Sequence, residues 1–480
     1  MKKASMTVAE AVKVRLSLKE CLIGEPRFYK KVAMVVLPMI IQNTLSNVVG
    51  LLDNIMVGQV GTLAMSAVAI VNQLMFVFML CVWGALAGAG IFGTQFFGKR
   101  DYDGVRITMR FKLVVAMVIS VSAVIFFMIA GKSLIELYIA ADTPAGEATE
   151  TLRLARNYLD IMLIGLIPFG LTQVYSGTIR ESGKTTLPMI ASMTAMIVNF
   201  IFNFILIFGH FGFPKLGVAG AAIATVISRF VEVGIVVIVG HVQSDKYPFL
   251  TNVYKNFHVP RNMIWPIMSK SLPLLANEFM WSMGQAVLLQ SYSIRGIEVI
   301  AAMNIANTIA QIFNEVFISL GNSTSIVVGQ ELGAEHYLNA RKYAWRMATL
   351  SVASCFVMGT LLFLVAPVIP QIYNTEPEIR NLAMQFIRVV AVVMPVNAFA
   401  NVSYFTLRSG GKSLVTFLFD SCFTWVVSVP VSRILAGYLV MPVAVVFFCV
   451  CSLELIKSTI GFILVKKGVW VRNIVNRDNS

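Results

Sequence analysis

Gly61-Thr62-Leu63-Ala64-Met65-Ser66-Ala67-Val68-Ala69-Ile70-Val71-Asn72 and Gly296-Ile297-Glu298-Val299-Ile300-Ala301-Ala302-Met303-Asn304-Ile305-Ala306-Asn307 lie 235 positions apart. They agree at both ends, Gly61 with Gly296 and Asn72 with Asn307, and at Ala67/Ala302 and Ile70/Ile305 between. The same ungapped shift carries Leu37-Pro38 onto Leu272-Pro273, Gln95 onto Gln330, Gly98 onto Gly333 and Arg106 onto Arg341. Later a shift of 228 sets Thr178-Ile179-Arg180 on Thr406-Leu407-Arg408 and Gly183-Lys184 on Gly411-Lys412. Register kept over about 70 residues, across apolar runs and their loops, marks a duplicated structural unit.

What is duplicated is apolar. The chain has 480 residues, 57% hydrophobic and 13% charged, with a mean hydropathy of +0.78. A soluble domain carries roughly 25% charged residues, so lipid has to be the solvent here. The apolar runs suit helices of about 20 residues across a hydrocarbon core of about 30 Å. They are too long for the roughly ten alternating residues of a barrel strand. The expected fold is an all-α polytopic membrane protein with about twelve transmembrane helices in two parallel six-helix repeats. The spans read as 32–57, 64–93, 111–140, 156–179, 186–210, 217–241, 266–292, 298–328, 344–370, 382–407, 414–437 and 440–465. Six spans is an even number, so both repeats enter from the same side. Their pseudo-twofold axis should then follow the membrane normal, with a cavity between the halves.

The formal charge of +14 does not point to nucleic acid, because the charges sit in short loops. About 28 of the 38 Lys and Arg fall in the N-terminal segment, the even-numbered loops and the tail, and about eight in the odd-numbered loops. The positive-inside rule then makes both termini cytoplasmic. The expected division is a cytoplasmic segment 1–31, a first lobe 32–241, a cytoplasmic linker 242–265, a second lobe 266–465 and a cytoplasmic tail 466–480. Residues 1–31 hold eight Lys or Arg and no continuous apolar stretch, unlike a cleavable signal peptide. They could form an interfacial amphipathic helix through Met6, Val8, Val12 and Leu16. Of six cysteines, none falls in a loop placed outside, and no structural disulfide is expected.

Leu51-Leu52-Asp53-Asn54-Ile55-Met56-Val57-Gly58, followed by Gly61 and Ser66-Ala67-Val68, resembles the first span and loop of the multidrug and toxic compound extrusion (MATE) family. Arg180 with Gly183, Asn199, and Gly217-Val218-Ala219-Gly220-Ala221-Ala222 extend the likeness. It covers essentially the whole chain, and its specificity lies in the order and duplication of short pieces. The resemblance implies twelve spans in two lobes, residence in the plasma membrane, and export of organic, often cationic, compounds against Na⁺ or H⁺. No cofactor beyond that coupling ion is implied, the partners are small-molecule substrates and the bilayer, and a monomer is expected.

An ionisable side chain in mid-span costs about 2.5–3.5 kcal/mol on insertion scales, which makes each one a functional candidate. Asp53 lies roughly 33 Å along span 1 at 1.5 Å per residue from Lys31, unless Pro38 kinks the helix and shortens that reach. Two readings stay open, a solvated carboxylate at the outer interface and an inward-facing acid. Asn199 and Asn203 share a face of span 5, and Thr225 enters span 6 from the outer side. The resemblance assigns Asp53, Asn199 and Thr225 to a cation or proton site in one branch of the family. Asn203 stands where that branch has a second Asp. In the second lobe Glu278, Glu315 and Asp420 fall in the inner half. Each is a weaker candidate for substrate or ion binding, against the alternative of hydrogen bonding between spans. None of these acids maps onto an acid under the repeat, so the duplicated scaffold does not itself require them. Arg229 and Glu232 are spaced for an ion pair on one helix face. Asn304, Asn307, Gln311 and Asn314 either line a wet cavity or bond across helices.

Rival functions are weaker. Four scattered histidines without paired spacing argue against a membrane-embedded enzyme or a resident metal, and no P-loop is present. A lipid-linked sugar flippase would be expected to line its cavity with Arg and Lys. Here Arg229 and Lys457 are the exceptions among embedded acids and amides.

Overall fold

The computed structural model describes residues 6–139, 143–255, 257–373, 375–438 and 441–476. Helices and turns account for these residues, and no strand occurs among them. Two short helices, α1 (Val8–Lys13) and α2 (Leu18–Leu22), lead in, each begun by a capping box, Thr7 with Glu10 and Ser17 with Glu20. The long helices are α3 (Pro26–Gly58), α4 (Thr62–Lys99), α5 (Tyr102–Glu136), α6 (Ala145–Ile164), α7 (Leu166–Glu181), α8 (Thr186–Phe208) and α9 (Val218–Val242) in the first half. The second half has α10 (Arg261–Ser293), α11 (Ile297–Gly333), α12 (Tyr337–Val365), α13 (Pro377–Ser409), α14 (Ser413–Phe417), α15 (Val429–Tyr438), α16 (Val443–Ser452) and α17 (Glu454–Lys467).

Among the described residues nine helical segments are long and apolar enough to cross a membrane, and ten if α6 and α7 count as one bent span. The helices α10 and α11 complete the expected twelve positions but fall short in apolarity. They carry Asn277, Glu278, Gln285 and Gln290, and Asn304, Asn307, Gln311, Asn314 and Glu315. Three expectations need correction. Span 4 is not one straight helix over 156–179: it begins at Ala145 and bends by 45° at Gly165. Span 11 is not uniformly α-helical, because Leu418–Cys422 and Thr424–Ser428 wind as π-helix between α14 and α15. A third is the start of span 1, which lies at Pro26 and not at 32, with Pro38 inside the helix.

Two compact units can be distinguished. One holds residues 1–40, 94–101 and 267–480, the other 41–93 and 102–266. In the first, the repeat is visible as contact. A Cβ on Gly98 would fall on the Gln330 carbonyl, and a Cβ on Gly333 would fall on the carbonyl of Gln95. These four residues are repeat equivalents, so the C-terminal ends of α4 and α11 cross reciprocally with only hydrogen at the contact. Around that crossing lies a core of Val328, Leu332, Tyr337, Ala340, Ala344 and Leu407, which also takes in Ala11, Trp470 and Val471. The N-terminal segment is thus docked on protein. Ala11 is fully buried, and Arg341 donates to the Ala11 and Val14 carbonyls. An amphipathic helix lying in lipid is not needed to explain Val8 and Val12.

In the second unit the connection after α9 is docked as well. Arg106 donates to the Thr251 and Pro248 carbonyls at 2.9 and 3.0 Å, and Arg110 to the Val253 carbonyl at 2.6 Å. Phe249, Leu250 and Val253 are buried. A stretch that reads as a polar linker is therefore held at the start of α5.

Candidate ion and substrate sites

In the second unit α3, α8 and α9 bring a carboxylate, two amides and a hydroxyl together. Asn203 Nδ2 donates to Asp53 Oδ1 at 2.7 Å and to Asn199 Oδ1 at 3.2 Å. Asn199 Nδ2 donates to Thr225 Oγ1 at 3.3 Å, and Thr225 donates onward to the Ala221 carbonyl at 3.0 Å. Asn199 and Asn203 are one turn apart on the buried face of α8, 5% and 1% exposed, which is why both reach the same acid. Asp53 therefore faces span 5 and does not stand in solvent beyond the helix end.

The Asn199 amide can be set either way round. With its Oδ1 toward the carboxylate it faces only acceptors; turned over, which satisfies both groups, its Nδ2 donates to Asp53 Oδ1 at 3.0 Å and Oδ2 at 3.1 Å. The Asn203 Oδ1 is buried beside them with no protein donor. Tyr158, which the sequence did not single out, and Arg229, which it did, complete the surroundings. The Tyr158 hydroxyl of α6 lies close to Thr225. Arg229 donates to the Gly165 carbonyl at 3.2 Å, at the bend of span 4, and its guanidinium lies 5.2 Å from the Phe169 ring centre. Arg229 makes no direct salt bridge with Glu232 as their spacing suggests: Glu232 lies in the fields of Arg180 and, more weakly, Arg229, and close to Ser192. A second ion pair went unread. Lys112, 1% exposed, donates to both Glu181 oxygens at 2.9 Å and to Thr178 Oγ1 at 2.7 Å. Gly90 and Gly93 leave the room, since a Cβ on either would strike that carboxylate. Only paired glycines facing a later acid could have signalled it.

In the other unit, Asp420 sits in the first π-helical stretch of span 11. Lys457 of α17 donates to its Oδ1 at 2.7 Å and Asn277 Nδ2 to its Oδ2 at 3.1 Å. Ser421 donates to the backbone and side-chain oxygens of Asn277, both at 2.8 Å. Asp420 is thus already paired with a resident ammonium, and Lys457, which the sequence left as an embedded exception, has its partner. Glu278, half-buried and next to Asn277, lies in the field of Arg408 and Asp420. Glu315 is half-buried on α11. The structure thus brings Glu278 and Asp420 together. Asn304, Asn307 and Gln311 are exposed on one stripe of α11, which Asn314 and Glu315 continue inward. Amides exposed along a membrane helix face a wet surface and not lipid.

Residues 38–205 and 273–434 match the MatE family model, once in each half. The chain belongs to the MatE family. Among curated relatives, the "Probable multidrug resistance protein NorM" of Bacillus cereus (strain ATCC 10987 / NRS 248) is 32% identical over 289 residues, 60% of this chain. That match spans 63% of the relative's own length. The protein of the same name from Thermotoga maritima is 23% identical over 460 residues, covering 94% of this chain and 95% of it. A solved structure described as the outward-facing conformation of a multidrug resistance MATE family transporter superposes with a TM-score of 0.83 at 20% identity, covering 94% and 98% of the two chains. A MOP superfamily transporter from Pyrococcus furiosus, described as having a binding pocket of reverse polarity, gives 0.82 at 19% identity, covering 94% and 98% of the two chains. At those identities the likeness is one of fold. The fold is that of a multi-pass helical membrane protein, and the members of the matched family are transporters, not enzymes.

Proposed function

We propose that this MatE protein is a multidrug efflux transporter that exports organic cations by antiport against Na⁺ or H⁺, with Asp53 as its coupling acid. The observation that carries the reading is the 2.7 Å bond from Asn203 to Asp53. It sets one carboxylate among amide and hydroxyl oxygens inside the helix bundle. Oxygens of that kind are the donors a small hard cation takes, and a buried carboxylate can equally hold a proton.

The Asn199 amide supplies a mechanism. An ionised Asp53 favours the amide nitrogen turned toward it. A proton or Na⁺ on Asp53 favours the amide oxygen. Charge on Asp53 therefore selects between two hydrogen-bond patterns joining α3, α8 and α9. Ion entry can bias two arrangements of α3 only through such a difference. With Asn203 in place of a second acid, a single charge is exchanged per cycle.

In the second lobe we assign substrate or ion binding first to Glu278. It has no carboxylate-bound lysine of its own, whereas Asp420 does. The amide stripe of α11, ending near Glu315, supplies wet polar lining for the substrate. We retain 32–241 and 266–465 as the repeated lobes, with both termini cytoplasmic.

The test uses proteoliposomes loaded with an organic cation, with Na⁺ and pH gradients imposed separately. One gradient should drive export, and Asp53→Asn should lower the driven rate at least about tenfold while substrate Kd stays within about twofold, because the loss lies in coupling and not binding. Undiminished driven export by that variant would refute the assignment of Asp53.

A further inference from the structure

One cavity belongs to neither site. In the second unit a groove of about 690 Å³ lies at the bend of span 4, where α5 and α9 flank α6 and α7. Its volume is that of a ligand pocket, within the usual range of about 300–1,000 Å³. Its lining is apolar apart from Arg156 and Asp160. On α6 and α7 it runs from Arg156 to Leu171, roughly 22 Å at 1.5 Å per residue before the bend shortens it, against about 15 Å for the hydrocarbon of one leaflet. The flanks present large apolar side chains outward, Met128 at 60%, Ile164 at 58% and Phe230 at 52% exposed.

The charged end is built. Arg156 and Asp160 are 3.0 Å apart, with side chains 33% and 48% exposed. Arg156 Nη1 and Nη2 reach the Phe127 and Met128 carbonyls of α5, at 3.4 Å each. A Cβ on Gly131 would meet Arg156 Nη1 at 3.0 Å, so this glycine admits the guanidinium to α5. Five N–H donors serve one carboxylate and two long carbonyl contacts, which leaves donors for an anion. The sequence-read span 4 opens at Arg156, so this half-exposed pair stands at head-group depth, where a polar ligand can meet it.

We propose that this groove binds a zwitterionic aminophospholipid. One acyl chain lies along α6 and α7, the phosphate meets Arg156 and the ammonium meets Asp160. The lipid belongs to the leaflet that meets the end of α5 and the start of α6. A monovalent organic cation is disfavoured there, because Arg156 stands beside the only acid. The site is separate from the Asp53 cluster and does not depend on which ion drives export.

The experiment is native mass spectrometry of the full chain, purified in mild detergent and offered equal phosphatidylethanolamine, phosphatidylcholine and phosphatidylglycerol. Wild type should retain one phosphatidylethanolamine per chain, enriched at least about fivefold, or roughly 1 kcal/mol. Asp160→Asn should keep a lipid but bring the preference over phosphatidylcholine to about one, because only the ammonium partner is lost. Leu171→Trp, and separately Ile167→Phe should the first fold poorly, should lose the lipid by filling the groove. Equal retention of the three lipids by wild type would overturn the proposal. So would a lipid that survives both filling variants, or tetraphenylphosphonium binding that those variants abolish.

Discussion

Asp420 and Glu278 show how one contact separates two acids of similar depth. Lys457 is 10% exposed and Asp420 16% as side chains, and they pair at 2.7 Å. Truncating one member of such a pair leaves an uncompensated buried charge, at a cost of about 3–5 kcal/mol. Lys457→Ala should therefore lower the melting temperature in detergent sharply. The double variant Asp420→Leu with Lys457→Met should recover most of that loss, as replaced buried pairs often do. If the double variant also exports normally, Asp420 serves the fold. Glu278→Gln should behave in the opposite way. Its melting temperature should move little, while transport assays should show export reduced by about tenfold or more, the signature of an acid used in the cycle. Normal export by Glu278→Gln would remove it from the site.

Among the elements, the crossing of α4 with α11 is decided by what is missing. Gly98→Ala and Gly333→Ala each set a methyl against a backbone carbonyl of the partner helix. Backbone cannot turn away as a side chain can, so each variant should destabilise by about 1–3 kcal/mol, with losses alike because the positions are repeat equivalents. Thermal unfolding of the two variants side by side checks this, and a tolerated methyl at either position would show that the helices can part. The docked connection makes a second expectation. Arg110 holds three carbonyls, of Val253, Asn252 and Lys255. Arg110→Ala should raise hydrogen exchange across 248–255 and leave α5 itself protected.

At the scale of the molecule, the N-terminal and C-terminal segments both pack on the first unit, around the C-terminal ends of α4 and α11 and the start of α12. Gln95 Nε2 donates to the Ser409 and Arg472 carbonyls at 2.9 and 3.2 Å, and Ile474 N donates to Gln95 Oε1 at 2.8 Å. Trp470 is 1% exposed, and Asn473 Nδ2 donates to the Gly333 carbonyl at 3.4 Å. On the N-terminal side, Lys342 beside Glu20 pulls that carboxyl down to about 2, so the anchor stays ionised at any physiological pH. Ending the chain before Trp470 would strip Arg472 and Ile474 from Gln95, leaving it Ser409 alone, and expose the core around Leu407. We expect such a truncation to lower thermal stability and to speed proteolysis at the C-terminal end of α11. Cysteine labelling at positions 99 and 412 in intact cells tests the orientation: both should be protected from impermeant reagents, and labelling of either would reverse the topology.

Apolar composition and a shift of 235 determined a duplicated helical membrane protein, because lipid leaves the backbone only helices or closed barrels, and the apolar runs are too long for barrel strands. Asp53, Asn199, Asn203 and Thr225 could be named as candidates because helical rise gives depth and spacing gives faces. What neither rise nor spacing carries is rotation and partner. Only the tertiary structure decided that Asp53 turns to α8, that Arg229 bonds the bend of span 4 and not Glu232, and that Lys457 neutralises Asp420 across 37 residues. Lys112 and Glu181, 69 residues apart, were illegible for the same reason. A buried charge is satisfied by whatever packing brings within about 3 Å, and that distance is set by helix rotation and by glycines on a third helix, not by local sequence.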